Sequence, residues 1–268
     1  MKPGYNFDDV INAYREAGVV PGQVVLFRGN LANLYNYVTP GKDAVLQAHF
    51  DALLELLGEK GTLIVPTNTL SLCNTDIPFN VHTTASSRMG VFSEFVRNKK
   101  EAIRSRHPFV SYAAIGRHAS EILSDVSRYG YGINSVKERM INLNAHCLSI
   151  GMPPNLTCST VHHAEQLMCV PYRYVKEFMH PMEDSDQKIN IEPFYLHLCY
   201  LQSDVQRNKN KKIFDRFAEH YQVLETPLGR GKVWGYNMAD FMKSCLKSMA
   251  DDIYVWLDSP PENRPYRI

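Results

Sequence analysis

The amino-acid sequence predicts an α/β fold: a central, largely parallel sheet, flanking helices and a smaller antiparallel elaboration in the C-terminal third. Short apolar runs alternate with helical patterns in the first half of the chain, an order typical of parallel strands joined by crossover helices. Residues 171–235 instead mix aromatic runs with turns, which favours antiparallel strands. We expect residues 1–268 to form a single domain.

Each predicted element follows from the spacing of its apolar residues and the position of glycines. Residues 7–19 place Phe7, Val10, Ile11 and Tyr14 on one helical face. Further helices are predicted at 43–58, ending at a glycine, directly after the strand at 111–116, and at 238–249. Buried strands are predicted at 23–29, 61–67, 111–116 and 145–152.

Composition excludes several function classes. The formal net charge of +1 argues against nucleic-acid or membrane-surface binding driven by bulk charge, and the basic stretch 206–216 is interpreted as a solvated face. Six scattered cysteines without a CxxC pair favour reduced thiols in a cytoplasmic protein and argue against a structural zinc site. The sequence shows no signal peptide and no membrane-spanning apolar run.

Three segments with unusual residues follow predicted strands, where ligands gather in open α/β sheets. Gly29 and Asn30 allow a turn whose N–H groups could face a phosphate or a carbonyl, although many strand-to-helix turns contain such a pair. The hydroxyl-rich stretch 83–87 either caps the following helix or belongs to a site in which Glu94 faces a cationic ligand. The loop 104–107 carries two arginines and a histidine, which either bind an anion or are solvated.

The fourth segment, 157–166, has hydroxyl residues that we expect to cap a new helix. On that helix His162 and Glu165 would share a face, whereas His163 would point elsewhere. A carboxylate beside an imidazole fixes its tautomer and stabilises the imidazolium. The segment is therefore either a general base with its orienting carboxylate or a helix start that happens to contain histidines.

Together, residues 83–97, 104–116 and 159–165 resemble the aminoglycoside 3-N-acetyltransferase family, whose motifs occur in the same order. The family pattern contains a Thr-Pro-Ser-x-x-Met-Gly-like segment, then Arg-Ser-x-His-Pro-x-x-Ser, then Thr-Ser-x-His-x-Ala-Glu. The resemblance extends over nearly the whole chain. It implies an N-acyltransferase that moves an acetyl group from acetyl-CoA to the amine of a sugar, without a metal.

The resemblance also implies roles for individual residues. It makes His162 the general base and Glu165 its partner, with no covalent intermediate on Cys158. Acceptor recognition would fall to Asp76 and Glu94, because a cationic aminated sugar needs carboxylates. The coenzyme would lie along Arg28, Gly29, Asn30, Leu31, Ser86, Ser87, Arg88, Met89, Ser105, His107 and Ser111.

The chain departs from the family pattern at the first turn. Arg28-Gly29-Asn30-Leu31 replaces His-Ser-Ser-Leu, and Ala85 replaces the proline of Thr-Pro-Ser. These changes favour an amino sugar of the cell, such as a nucleotide-linked sugar, over an aminoglycoside antibiotic as acceptor. A non-catalytic protein that binds coenzyme A or a sugar is a further alternative. We expect no nucleic-acid or membrane partner, and either a monomer or a homodimer.

Overall fold

A seven-stranded mixed sheet forms the centre of the computed structural model, which describes residues 4–201, 204–208 and 210–262. The strands of this sheet and of a separate two-stranded sheet are β1 (Val24–Gly29), β2 (Thr62–Pro66), β3 (Ile103–Arg104), β4 (Tyr112–Gly116), β5 (His146–Ile150), β6 (Arg173–Glu183), β7 (Ile189–Cys199), β8 (Leu224–Leu228) and β9 (Gly231–Asn237). The helices are α1 (Phe7–Glu16), α2 (Lys42–Leu57), α3 (Val91–Arg97), α4 (Ala119–Leu123), α5 (Val136–Asn142), α6 (Pro154–Thr157), α7 (Val161–Leu167), α8 (Lys211–His220) and α9 (Met238–Asp251).

The sheet is parallel at its centre and antiparallel towards both edges. Its strand order is β3-β4-β2-β1-β5-β9-β8, and β1 pairs in parallel with β2 on one side and β5 on the other. The outer pairs β2–β4, β3–β4, β5–β9 and β8–β9 are antiparallel. The predicted fold class is therefore confirmed.

The antiparallel elaboration is smaller than the expected range of 171–235. Strands β6 and β7 alone form a separate two-stranded sheet, whereas β8 and β9 extend the central sheet from β5. Val233 and Tyr236 of β9 are buried, so β9 belongs to the main core. The boundary of the antiparallel elaboration differs from the prediction because the apolar pattern of a strand does not indicate which sheet the strand joins.

Helices cover both faces of the sheet. Helices α1 and α2 bury Tyr14 and Leu53 in one hydrophobic cluster, and Ala164 of α7 and Phe241 of α9 lie in the cluster on the other face. The predicted helices at both ends of the chain are confirmed, and Gly58 ends α2 in a left-handed conformation. None of the helices in the described ranges is long and apolar enough to cross a membrane.

The hydroxyl residues before α7 do not cap it as expected. Thr160, at the cap position, makes no side-chain hydrogen bond to the helix. The Oγ1 of Thr157 lies 2.7 Å from Ser149 Oγ on β5, and Ser159 Oγ accepts from Lys137 Nζ at 3.2 Å. These hydroxyls thus tie the loop to the sheet and to α5, which fixes the position of α7.

Candidate active site

His162 and Glu165 lie side by side on α7, as expected from their spacing. The Nδ1 atom of His162 is 2.8 Å from Glu165 Oε2. The His162 side chain is 26% exposed, whereas the Glu165 side chain is 0% exposed. The carboxylate thus supports the ring from inside the protein, and the ring reaches the surface.

Arg173, the first residue of β6, is the third member of the cluster. Its Nε lies 2.9 Å from Glu165 Oε2, and its Nη1 donates to the His197 carbonyl oxygen at 3.1 Å. The guanidinium carbon is 4.6 Å from the centre of the Trp256 ring, a favourable distance for a cation–π contact. Arg173 therefore supplies the countercharge that a buried carboxylate requires.

The tautomer of His162 follows from these contacts. Arg173 Nη2 lies 3.2 Å from Nδ1, but arginine only donates, so Nδ1 cannot both accept from Arg173 and donate to Glu165. Donation to the ionised carboxylate places the ring hydrogen on Nδ1 and leaves a lone pair on Nε2. Within the described residues Nε2 has no hydrogen-bond partner, so it is available to a ligand.

The electrostatic environment favours a neutral ring beside a charged carboxylate. Burial lowers the pKa of His162, although the hydrogen bond to Glu165 acts in the opposite direction. Burial also acts to raise the pKa of Glu165, but the hydrogen bond from His162 and the charge of Arg173 hold it below its usual value. At neutral pH the imidazole is therefore ready to accept a proton.

His162 stands between two clefts. The large cleft, about 700 Å³, is lined by Asn68, Leu70, Val110, Tyr131, His162, Arg173, Tyr174, Leu196, His197, Leu198, Cys199, Tyr200, Leu201, Val205, Gln206 and Arg207. The small cleft, about 430 Å³, is lined by Asn155, Leu156, His162, Val205, Gln206, Arg207, Asn210 and Trp256. Both include His162 and the segment 205–207. The ring can therefore reach ligands that enter from two sides.

The neighbouring nucleophile and base candidates face inward. His163 is buried, and its Nδ1 accepts from the Gly132 N–H at 3.1 Å. Burial lowers the pKa of His163 to about 4 and raises the pKa of the Cys158 thiol. Both residues therefore support the structure around the site, and of the adjacent pair His162 and His163 it is His162 that reaches the clefts.

Comparison with known proteins decides the family. A family profile described as aminoglycoside 3-N-acetyltransferase matches residues 35–250. The chain belongs to this family. The predicted resemblance is thus confirmed, and the match covers most of the sheet and the whole of α7.

Individual members of the family give the same result. Aminoglycoside N(3)-acetyltransferase III of Pseudomonas aeruginosa is 26% identical over 193 residues, which are 67% of this chain and 70% of that protein. The crystal structure of AAC(3)-Xa has a TM-score of 0.79 at 22% identity and covers 92% of this chain and 93% of its own. AAC-IIIb in a binary complex with CoASH has a TM-score of 0.79 at 16% identity, covering 96% and 99%. At these identities the two structures establish a shared fold.

The first turn, expected to bind the coenzyme, lies at the carboxyl end of β1. Arg28 is half-buried, and Asn30 Oδ1 accepts from the Ala32 N–H at 3.1 Å, while Leu31 is buried. Gly29 has a φ of 129°, and a Cβ there would overlap the Ile150 carbonyl oxygen. In this member of the family, Gly29 is therefore required by the close approach of β1 and β5.

The second expected coenzyme segment, 86–89, adjoins that turn. Ser86 donates to Glu94 Oε2 from its N–H at 3.0 Å and from its hydroxyl at 2.7 Å, and the Ser87 N–H donates to the Asn68 carbonyl oxygen at 2.8 Å. Arg88 is exposed and Met89 is half-buried. The serines are thus held by the protein itself, with Ser87 beside a residue of the large cleft.

The third expected segment lies in the interior. Ser105, His107 and Ser111 are at most 2% exposed. Ser105 Oγ accepts from the Tyr112 N–H at 3.0 Å, and His107 Nδ1 faces the N–H groups of Phe109 and Val110. These side chains build the turn that carries Val110 to the large cleft, and they do not line the cleft themselves.

The arginines before this turn have protein partners. Arg104 donates to the Thr67 carbonyl oxygen at 2.8 Å and to that of Thr84. Arg106 Nη1 donates to Glu192 Oε2 at 2.8 Å. Both arginines are therefore engaged by other groups of the protein, which argues against an anion site in this loop.

The structure does not bring the two proposed acceptor carboxylates to His162. Asp76 is exposed and lines neither cleft. Glu94 binds Ser86 and accepts from Arg97 Nε at 2.9 Å, and although burial acts to raise its pKa, these hydrogen bonds lower it to about 2. Glu94 therefore fixes the serine turn and has little capacity left for a ligand.

Sequence reasoning missed several residues of the site. Arg173 and Trp256 flank His162, and Tyr131 packs 5.6 Å from its ring, measured between ring centres. Arg207 lies in the stretch interpreted as a solvated face, of which residue 209 is outside the described residues. A possible signal was Trp256, one of only two tryptophans in the chain.

Proposed function

We propose that this chain transfers an acetyl group from acetyl-CoA to the amine of an amino sugar, with His162 as general base and Glu165 as its orienting partner. One observation carries the proposal. A neutral imidazole, backed by a buried carboxylate, presents a free Nε2 where two clefts meet. Two substrates held on either side of one base need only a proton acceptor to react.

The reaction balances with the residues present. The amine nitrogen attacks the thioester carbonyl carbon, and its proton moves to His162 Nε2. The tetrahedral intermediate then expels the sulfur as the C–S bond breaks. The imidazolium returns the proton to the thiolate, so that the products are an amide and CoASH. Glu165 stabilises the imidazolium between these two proton transfers.

Direct attack is favoured over an acyl-enzyme. Among the described residues in the walls of the two clefts the one cysteine is Cys199, and burial raises its pKa. Cys158 is buried, which raises its pKa as well. A protonated thiol is a poor nucleophile, so neither cysteine is prepared to take the acetyl group from coenzyme A.

The coenzyme would lie along the first turn and the serine turn 86–89. The two segments adjoin, since a Cβ on Gly90 would come within 3.7 Å of the Gly29 carbonyl oxygen. The related fold of AAC-IIIb, solved with CoASH, supports acetyl-CoA as the co-substrate. In this proposal Arg28, Gly29, Asn30, Leu31, Ser86, Ser87, Arg88 and Met89 form the coenzyme wall, and Ser105, His107 and Ser111 support it from behind.

The test is release of free thiol from acetyl-CoA with a panel of amino sugars and aminoglycosides. We expect thiol release that requires an amine and is lost in His162→Ala, while calorimetry still detects CoA binding. CoA binding without thiol release for any amine would instead support the non-catalytic alternative. Incubation with acetyl-CoA alone, followed by intact-protein mass spectrometry, should show no added acetyl group; a stable adduct would contradict direct attack.

A further inference from the structure

The charges around His162 are those of a site for anions. Among the described residues that line the two clefts there is no aspartate or glutamate, whereas Arg173 and Arg207 line the large cleft and Arg207 also lines the small one. Glu165 lies just behind the wall, but its charge is balanced by Arg173 at 2.9 Å. Within the part of the chain that the structure describes, Arg207 therefore remains a cation without a carboxylate partner beside His162.

Arg207 is held in place without a carboxylate. Its guanidinium carbon lies 5.5 Å from the centre of the Trp256 ring, and its backbone forms a bridge with Leu257. Among the described residues it makes no ion pair, and Asp204 on the same segment lines neither cleft. An arginine positioned by an aromatic face keeps its donors free for an oxyanion.

Two further cations lie behind the clefts. Arg28 is half-buried, and within the described ranges its guanidinium has neither a hydrogen bond nor an ion pair; its charge acts on Tyr131, which lines the large cleft. Lys137 is 1% exposed, and its Nζ contacts Ser159 Oγ at 3.2 Å. Clefts with one sign of charge concentrate ligands of the opposite sign. These positively charged surroundings therefore disfavour the binding of a polycationic acceptor.

The phosphates of the coenzyme do not account for Arg207. At the moment of transfer the thioester must lie at His162, and the whole pantetheine arm separates the sulfur from the diphosphate. Because Arg207 lines the same clefts as His162, it is placed to contact the acceptor substrate and not the diphosphate of the coenzyme. We propose that the acceptor is an amine that also carries an oxyanion, either a phosphate ester or a carboxylate, and that Arg207 binds this group. The inference rests on the proposed acetyl transfer and specifies its substrate class.

Four acceptors test the inference by thiol release: glucosamine, its anomeric phosphate ester, the same sugar with a carboxylate in place of the primary alcohol, and gentamicin. We expect kcat/KM to be highest for one of the two anionic sugars, and their order identifies the source of the oxyanion. In Arg207→Gln, the ratio of kcat/KM for that sugar to kcat/KM for glucosamine should fall about tenfold, as for a lost charged hydrogen bond. Arg207→Lys should restore part of the ratio, and the exposed Arg117→Gln should leave it unchanged.

The outcomes separate this inference from the proposed function. A preference for glucosamine or gentamicin would overturn the anionic acceptor and leave acetyl transfer intact. An unchanged ratio in Arg207→Gln would overturn the role of Arg207, as would a loss of CoA affinity equal to the loss of acceptor affinity in calorimetry. No thiol release with any acceptor would overturn acetyl transfer and this inference together.

Discussion

The Nδ1 atom of His162 lies 2.8 Å from Oε2 of Glu165, and the carboxylate is fully buried while the ring borders two clefts. In the proposed reaction, a base at the junction of the two clefts would lie where the amine attacks the thioester. The same carboxylate oxygen also contacts Arg173. The charge state, orientation and position of the ring therefore depend on a small number of named contacts, each of which can be removed separately.

Replacing His162 should remove catalysis, whereas replacing His163 should mainly affect stability. We expect His162→Ala to lower kcat/KM by about a hundredfold to ten-thousandfold, the usual contribution of a general base. His163→Ala leaves the Gly132 N–H without its acceptor, which costs about 1–3 kcal/mol of unfolding free energy. Kinetics on folded protein and chemical denaturation check both values. Equal loss of activity in the two variants would contradict the choice of His162.

Glu165→Gln should reduce both activity and stability. The neutral amide no longer stabilises the imidazolium, so kcat should fall, although less than in His162→Ala. The variant also leaves Arg173, whose side chain is 6% exposed, without its countercharge, and breaking such a pair costs about 3–5 kcal/mol. Denaturant unfolding and kcat measure the two effects. A variant indistinguishable from wild type in both would remove the support for the pair.

The titration of His162 should be shifted to acid. Since burial lowers its pKa from the usual 6.5, the midpoint of its NMR titration should lie below that value. Glu165→Gln should move the midpoint lower still, because Glu165 raises the pKa of the ring. The His162→Ala spectrum assigns the resonance. A midpoint above 6.5 in the wild type would show that the ring is charged more readily than its surroundings suggest.

The folded protein should lose stability in mild acid. Burial lowers the pKa of His49 and His107 to about 3 and that of His163 and His197 to about 4. The unfolded chain therefore binds more protons as the pH falls below 6.5, and the free energy of unfolding decreases towards these values. We expect Tm to fall steadily from about pH 6.5 to about pH 4.5, before most carboxylates of the unfolded chain titrate. A constant Tm over this range would show that the four rings are solvated.

Glu94→Gln should loosen the serine turn. Glu94 accepts from Ser86 and from Arg97, and its pKa of about 2 reflects how strongly these groups prefer the charged form. If the turn forms part of the coenzyme wall, we expect CoA to bind more weakly, which calorimetry measures. Asp76→Asn is the matched control, and we expect little change because that residue is exposed and lines neither cleft.

The sequence predicts the periodic parts of this fold well, because apolar spacing reports directly which face of a helix or strand is buried. The same reasoning placed Glu165 beside His162, since residues three apart on a helix share a face. Strand direction is different. Strand β4 was predicted as one of the buried strands of a largely parallel sheet but runs antiparallel to β2 and β3, because strand direction depends on the path of the connection and not on the strand itself.

The remaining parts of the site depend on contacts between distant segments. Arg173 and Trp256 meet at His162 only because the chain after α9 returns to α7, and no local pattern reports such a return. The negative charge of Glu94 made it a candidate for binding the amine substrate. The sequence gives the charge of a side chain but does not show that another residue, here Arg97, neutralises it. Ser105 and His107 likewise match a motif of the family. In this structure their side chains form hydrogen bonds within the turn that contains them.

The position of Trp256 in the chain separates the aromatic wall of the site from the strands of the sheet. Every strand in the described ranges ends before residue 238, whereas the indole that flanks His162, Arg173 and Arg207 follows α9 and is buried in the core with Val255 and Leu257. A truncation after α9 would therefore leave all the strands in place but remove the aromatic wall and part of the core beneath it. Such a variant would uncouple formation of the sheet from formation of the candidate site.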